Sequence, residues 1–540
     1  MRPSGTKPGW ASRRTAVLVY GLLSAAFYCG LLPLWEGFDE LYHYGYLQYV
    51  STNKTFPVAG HTSLSRELWT SLDYVAISRY LQPYVERPST SFEEYFRLTN
   101  AERNLRRRAL DTLPRELQRA PSPRDNYEAK HAPLTYLLLA PLDRLLTGTP
   151  ITTRVLALRL TLSMAAIGLL WQGTRGLSHR LGLSGAMETA AIFTVFSCQM
   201  LYGVVGHLAN DALLLPWLVF FVGAVIDTCE LLTPSRMAIA AGFMALGLLI
   251  KASAMFLLPL VFAAPLLLLF QRRARYAAKL AAIAAAIILV LAGPWYARNI
   301  ILYQSLTATN DSTSGIGGRQ LWDAAVKLPW RESIAAMAHN ALWTGNSSFA
   351  TFSAATIDVV LLLLALSAAL YVISFRRSAA EAVTISAIVL YGAGLAVITL
   401  SFFSFSQGAV TTAEPWYIPV LLAPVVLLCF LGLARWRRVG NWIAAATVLV
   451  SAYVAAATWI VKLVPLYGGL VDTHGHPRQV WSWYLQQGNL RDSILANLCP
   501  ARLPWLYGLF FAVLATLAVA LAAVLMPLIR AGGFPLDELP

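Results

Sequence analysis

Charge is scarce in this chain. Only 13% of its 540 residues are Asp, Glu, Lys or Arg, against 57% hydrophobic ones; soluble domains carry about 25% charged residues, so a soluble globular fold is excluded. Cysteine is scarcer still. Cys29, Cys198, Cys229 and Cys429 lie within or at the ends of apolar segments and Cys499 lies in an outer segment, which excludes a disulfide framework. Acidic residues number 28 against 42 basic ones, a net charge of +14, yet the basic excess forms no nucleic-acid patch. Many of its members fall in short loops between apolar runs, as at Arg272, Arg273 and Arg275, at Arg376 and Arg377, and at Arg435, Arg437 and Arg438. That is the positive-inside pattern of a membrane protein, and no nucleic-acid partner is expected. Also missing are an internal repeat and an inverted pair of Gly/Pro-broken segments such as marks many transporters.

What the chain has is long apolar runs. Thr15–Leu34, Asp358–Phe375 and Leu503–Leu528 each run for about 20 residues, the length that crosses a ~30 Å hydrocarbon core as a helix. Further spans are expected near 151–171, 186–205, 212–231, 280–295, 380–402, 416–434 and 442–461. Residues 237–270 are too long for one span and read as a tight helical hairpin with Lys251 at its outer tip. The fold class is therefore an all-α polytopic membrane protein of about twelve spans, with a long first extracytoplasmic loop bearing interfacial helices. Arg2, Lys7, Arg13 and Arg14 hold the N-terminus inside; the run after Arg13-Arg14 is long and lacks a small-residue cleavage site, so it reads as a retained span. The organisation expected is 1–34 (inner N-terminus and first span), 35–150 (outer loop), 151–299 (transmembrane core), 300–355 (a second outer loop) and 356–540 (a C-terminal bundle with an outer loop at 464–503). The short run 137–146 carries Asp143 and Arg144 and reads as interfacial or re-entrant, which also keeps Arg175, His179 and Arg180 inside.

The chemistry starts where the first span ends, at Trp35-Glu36-Gly37-Phe38-Asp39-Glu40-Leu41-Tyr42-His43. If helical, this stretch puts Glu36, Asp39, Glu40 and His43 on one stripe. Carboxylates and an imidazole gathered at a membrane surface can take a proton from a hydroxyl; the plainer alternative is that acidic residues favour a helix start beside an aromatic belt. Lys130, His131, Asn210, Asp211, Lys251 and Arg298 map to the same outer boundary, as do His207, Glu414 and His474. Each has a structural alternative. Lys251 could snorkel from a hairpin tip, Asn210-Asp211 could cap a helix, and Arg298 could anchor a phospholipid. His474 and His476 form a pair without a third metal ligand. No ladder of charges runs through the middles of the spans, where an ion-coupled transporter would place it.

Taken in order, Phe38-Asp39-Glu40-Leu41-Tyr42-His43, Lys130-His131-Ala132-Pro133-Leu134-Thr135-Tyr136, Arg159, Asn210-Asp211-Ala212-Leu213, Gly247-Leu248-Leu249-Ile250-Lys251 and Trp295-Tyr296-Ala297-Arg298-Asn299 form a series over residues 15–305. The series resembles the GT-C class of integral-membrane glycosyltransferases, especially relatives of protein O-mannosyltransferases and bacterial aminoarabinose transferases. The resemblance implies inverting transfer of a sugar from a polyprenyl-phosphate donor to a glycan, lipid or protein acceptor on the outer face of the plasma (inner) membrane. It implies Asp39 as the base, with Glu40 beside it as the fallback. Lys130 or His131 would contact the phosphate with Arg298 as a helper, Asp211 would support acceptor or sugar binding, and His43, Asn210 and Lys251 are further candidate binding residues. No metal or other cofactor is expected; the lipid-linked sugar is the co-substrate and membrane lipids are the surroundings. Two departures stand out: Ala132-Pro133 replaces the class's proline pair, and Ala413-Glu414-Pro415-Trp416-Tyr417 stands where relatives often carry an arginine. Two rivals remain open at this stage, a lipid or glycan transporter and a non-catalytic membrane scaffold.

Overall fold

The computed structural model describes residues 9–79, 81–85, 87–308, 316–343, 352–471, 477–486 and 503–531. Among them helices dominate, and the one sheet pairs Ser63–Ser65 with Pro121–Asp125 antiparallel. Ten helices among the described residues are long and apolar enough to cross a membrane, and Gly185–Ser197 with Gln199–Val205 forms an apolar pair bent by 59°. Pro234–Ile250 is a shorter apolar helix. The chain is thus an integral membrane protein of helical spans.

The bend is a difference from the straight span expected over 186–205. Cys198 leaves helical geometry at φ −71°, ψ 115°, and side chains take up the carbonyls released there. The Tyr202 hydroxyl donates to the Phe196 carbonyl at 2.6 Å and the Gln199 amide to that of Ser197 at 2.9 Å. Buried backbone groups need such partners wherever a helix is interrupted.

Ile151–Arg180 is central to the bundle, packed on Gly9–Leu31 and on Asp211–Leu231. The first span also meets the later ones through rings: Phe27 and Tyr28 lie edge-on to the fully buried Trp459, with centroids 4.9 and 4.4 Å away. The expected hairpin over 237–270 is present. Pro234–Ile250 ends at Lys251 in extended backbone, the chain resumes as Ala252–Phe270, and both legs pack on Ala274–Leu291.

The long loop over 35–150 is fastened to the bundle by two buried ion pairs, Arg159 with Glu40 and Arg154 with Glu67. Leu134–Leu145 is a 12-residue helix, about 18 Å long and too short to span. Its Leu137, Leu138 and Leu145 are exposed, as an interfacial or re-entrant helix requires. In the second outer segment Gly318–Lys327 and Trp330–Leu342 are short helices whose Trp322, Val326 and Ile334 lie bare, an arrangement suited to a membrane interface.

One expectation is corrected. The stretch after the first span is not a continuous helix, because the helix there is Glu40–Asn53 and Asp39 precedes it in the left-handed region at φ 56°. The supposed stripe is therefore dispersed. Glu36 accepts from the Ser78 N–H at 3.2 Å, Asp39 from the Tyr127 hydroxyl, Glu40 from Arg159, and His43 meets the Tyr136 hydroxyl at 2.7 Å.

Candidate active site

The turn before Glu40 is built so that Asp39 faces a cavity. Gly37 lies against His207; a Cβ on it would sit 2.3 Å from the His207 Cβ, so only glycine lets the chain pass. Phe38 stacks on Trp416 with centroids 4.5 Å apart. Asp39, held at positive φ, does not use its carboxylate to cap the helix it precedes. Left-handed backbone at a non-glycine residue costs energy, though Asp tolerates it better than most. The result is a carboxylate aimed away from its own helix.

The cavity it meets has a volume of about 400 Å³. Asp39, Tyr127, Glu128, Lys130, His131, Lys251 and Glu414 give it a charged lining, while Met255, Phe256, Val397, Ile398 and Phe402 give it an apolar one, with Trp295 and Trp416 also in the wall. Six segments far apart in sequence thus converge here: the first-span exit, the 127–132 turn, the Lys251 break, the helices Gly293–Tyr303 and Ala379–Phe405, and the segment entering Pro415–Leu421.

The charges are interlocked. The Glu128 carboxylate lies 2.6 Å from His131 Nε2 and 3.7 Å from His43 Nδ1. Lys251 Nζ sits 2.6 Å from both Asp211 oxygens and 4.1 Å from the centre of the Tyr417 ring. Asn210 Nδ2 donates to the Ile250 carbonyl at 3.2 Å and lies 3.4 Å from His131 Nδ1. Burial, helped by the charge of Glu128, pushes Asp39 up to about 6 against the pull of Tyr127, His131 and Lys251. Burial would raise Glu128 too, but His131 and His43 beside it outweigh that and hold it below the ordinary carboxylate range. Burial lowers His43 to about 3. Burial and the nearby Asp39 carry Glu414 up to about 7, with Lys251 opposing.

Of the residues singled out in the sequence, Asp39, Lys130, His131 and Lys251 line the cavity. Asn210 and Asp211 stand behind it, with Asp211 on Lys251 and Asn210 beside His131; the Asn210 side chain makes no helix cap. His43 is buried against Tyr136 and Glu128. Arg298 turns aside, donating to the Pro57 carbonyl at 2.6 Å and stacking on Trp295 at 4.6 Å. Glu40 does not line this cavity; both its oxygens hold Arg159, and one also accepts from the Leu208 N–H at 3.0 Å. His474 and His476 lie outside the described residues.

The sequence reading passed over Tyr127, Glu128 and Asn299 as site residues, and placed Glu414 at the outer boundary without giving it a role. A signal existed for Glu128: it stands three residues before His131, the spacing at which side chains pair on a helical turn. Among the described residues no group of three or more His, Cys, Asp or Glu side chains is placed to hold a metal ion.

Fold and site together define an integral membrane protein with a half-charged, half-apolar cavity reached from several spans. No family model matches the chain, and no curated protein matches it. Two solved structures of ArnT from Cupriavidus metallidurans are similar to it, one bound to undecaprenyl phosphate and one in the apo state. Identity is 13% in both cases; the alignments cover 97% and 96% of this chain and 77% of each of those, with TM-scores of 0.45 and 0.41. At that identity and score the two structures say nothing about which residues of this chain act, or on what.

Proposed function

We propose that this protein transfers a glycosyl group from a polyprenyl-phosphate donor to an acceptor hydroxyl at the extracytoplasmic face of the plasma membrane. The observation that carries the reading is the composition of the cavity. Three carboxylates, two lysines and an imidazole share one space with a wall of Met255, Phe256, Val397, Ile398 and Phe402; the lysines suit the anionic head of a ligand and the apolar wall its lipid tail.

In this mechanism Asp39 accepts the proton of the acceptor hydroxyl while that oxygen attacks the anomeric carbon. The bond from that carbon to the phosphate oxygen breaks, and the lipid phosphate departs with the electron pair. Attack opposite the leaving group inverts the anomeric centre. Lys130, His131 and Lys251 stabilise the charge that grows on the phosphate. The Tyr127 hydroxyl, donating to Asp39, fixes the carboxylate's orientation, and Asp211 holds Lys251. A base titrating near 6 is ionised at neutral pH yet still basic enough to take a proton in the transition state.

The test is transfer from a purified lipid-linked sugar by the wild type and by Asp39→Asn. The variant keeps shape and one acceptor oxygen but cannot take the proton, so turnover should fall by roughly 10²–10⁴-fold with insertion and donor binding retained. A fully active Asp39→Asn protein removes the assignment.

A further inference from the structure

The cavity wall holds a buried hydrogen-bond acceptor that the described protein leaves without a donor. Asn299, on the helix Gly293–Tyr303, lines the cavity and is 1% exposed. Its Nδ2 donates to the Leu306 carbonyl at 3.3 Å, which sets the amide so that Oδ1 is the other end, and that oxygen has no partner among the described residues. Glu414 lines the same cavity and is only partly buried. Buried polar atoms are almost always satisfied, so an orphaned one in a cavity wall indicates what the occupant must offer.

At Asn299 Oδ1 the demand is for a donor. An isoprenoid chain has none, and an ionised phosphodiester has only acceptors; the hydroxyls of a glycosyl unit are donors. We propose that Asn299 Oδ1 accepts a hydroxyl hydrogen from the glycosyl unit of the lipid donor, which makes Asn299 a specificity-determining residue. The inference rests on the glycosyl-transfer reading and says which part of the cavity recognises the sugar. Trp295 and Trp416, also in the wall, give the C–H faces of the ring an apolar surface. In the segment Trp295-Tyr296-Ala297-Arg298-Asn299 it is thus the asparagine, rather than the arginine before it, that reaches the ligand.

The experiment compares Asn299→Leu with Asn299→Asp in the full-length protein in detergent. Quenching of tryptophan fluorescence reports binding of undecaprenyl phosphate and of a panel of undecaprenyl-phosphate hexoses and pentoses. The wild type should prefer at least one glycosylated lipid over the bare one. Asn299→Leu keeps bulk but no acceptor and should lose about tenfold of that preference, the value of one hydrogen bond, with the bare-lipid affinity within about twofold. Asn299→Asp loses the amide donor to Leu306 but keeps the acceptor oxygen, and should retain most of the preference. Equal losses in both variants would make the Leu306 bond the residue's role and overturn the inference, as would an unchanged Asn299→Leu protein or a wild type without preference. Transfer by the wild type, run in parallel, separates the two readings. Sugar transfer with an unchanged Asn299→Leu preference removes only this inference; discrimination without any transfer removes the proposed function.

Discussion

Glu40 and Asp39 are neighbours with opposite fates on mutation, and the difference can be worked from their surroundings. Glu40 is fully buried and Arg159 only 3% exposed. The guanidinium also donates to the carbonyls of Cys29, Leu32 and Pro33 at 3.3, 2.7 and 3.0 Å. Glu40→Gln preserves an oxygen for hydrogen bonding but leaves the arginine's charge unpaired. Breaking a buried pair in this way costs about 3–5 kcal/mol, because the remaining ion keeps its desolvation penalty and loses its partner. The loss should appear as stability. Thermal unfolding of the purified protein should shift to clearly lower temperature, and yield should drop, while turnover per folded molecule stays within a few-fold of wild type. The double variant Glu40→Gln/Arg159→Met, which removes both charges, should recover part of the lost stability. A Glu40→Gln protein that melts like wild type but does not turn over would refute the reasoning and place Glu40 in the chemistry.

Two further outcomes follow from the same geometry. In the proposed mechanism the ionised form of Asp39 is the working base, so the rate should climb with pH through about 6 and level off above it; Glu128→Gln removes a negative charge that disfavours this ionisation, so the acidic limb of the rate profile should move to lower pH, and a limb that stays put or rises would remove Asp39 as its source. For orientation, a cysteine at the exposed Glu116 should react with an impermeant thiol reagent added outside, and one at His179, whose side chain is 56% exposed, should not; outside labelling at position 179 would reverse the assignment of sides.

Much of the architecture could be read from the sequence because a lipid-facing helix leaves little choice: about 20 apolar residues with flanking charges locate a span. The Lys251 break was legible for the same reason, since a lysine at such depth must find a partner, and it finds Asp211. The neighbourhood of Asp39 was legible only in part. Helical periodicity spread over Glu36–His43 cannot foresee a left-handed residue at 39, and that one dihedral sends adjacent carboxylates to different partners. Glu128 and Asn299 were overlooked, and Glu414 was given no role, because their importance is a matter of convergence in space. Nothing local to Glu414 announces that it will share a cavity with Asp39 across 375 positions of chain.

The two buried ion pairs that fasten the outer loop also impose an order on biogenesis. Glu40 and Glu67 leave the ribosome long before Arg154 and Arg159, which sit on the helix Ile151–Arg180. Until that helix has entered the membrane, both carboxylates lack their counterions and the loop has nothing to close on. The loop is therefore no portable module. Excised or grafted onto another anchor, it would carry two acids shaped for arginines that stayed behind, and Asp39, one residue from the first of them, would lose the turn that aims it.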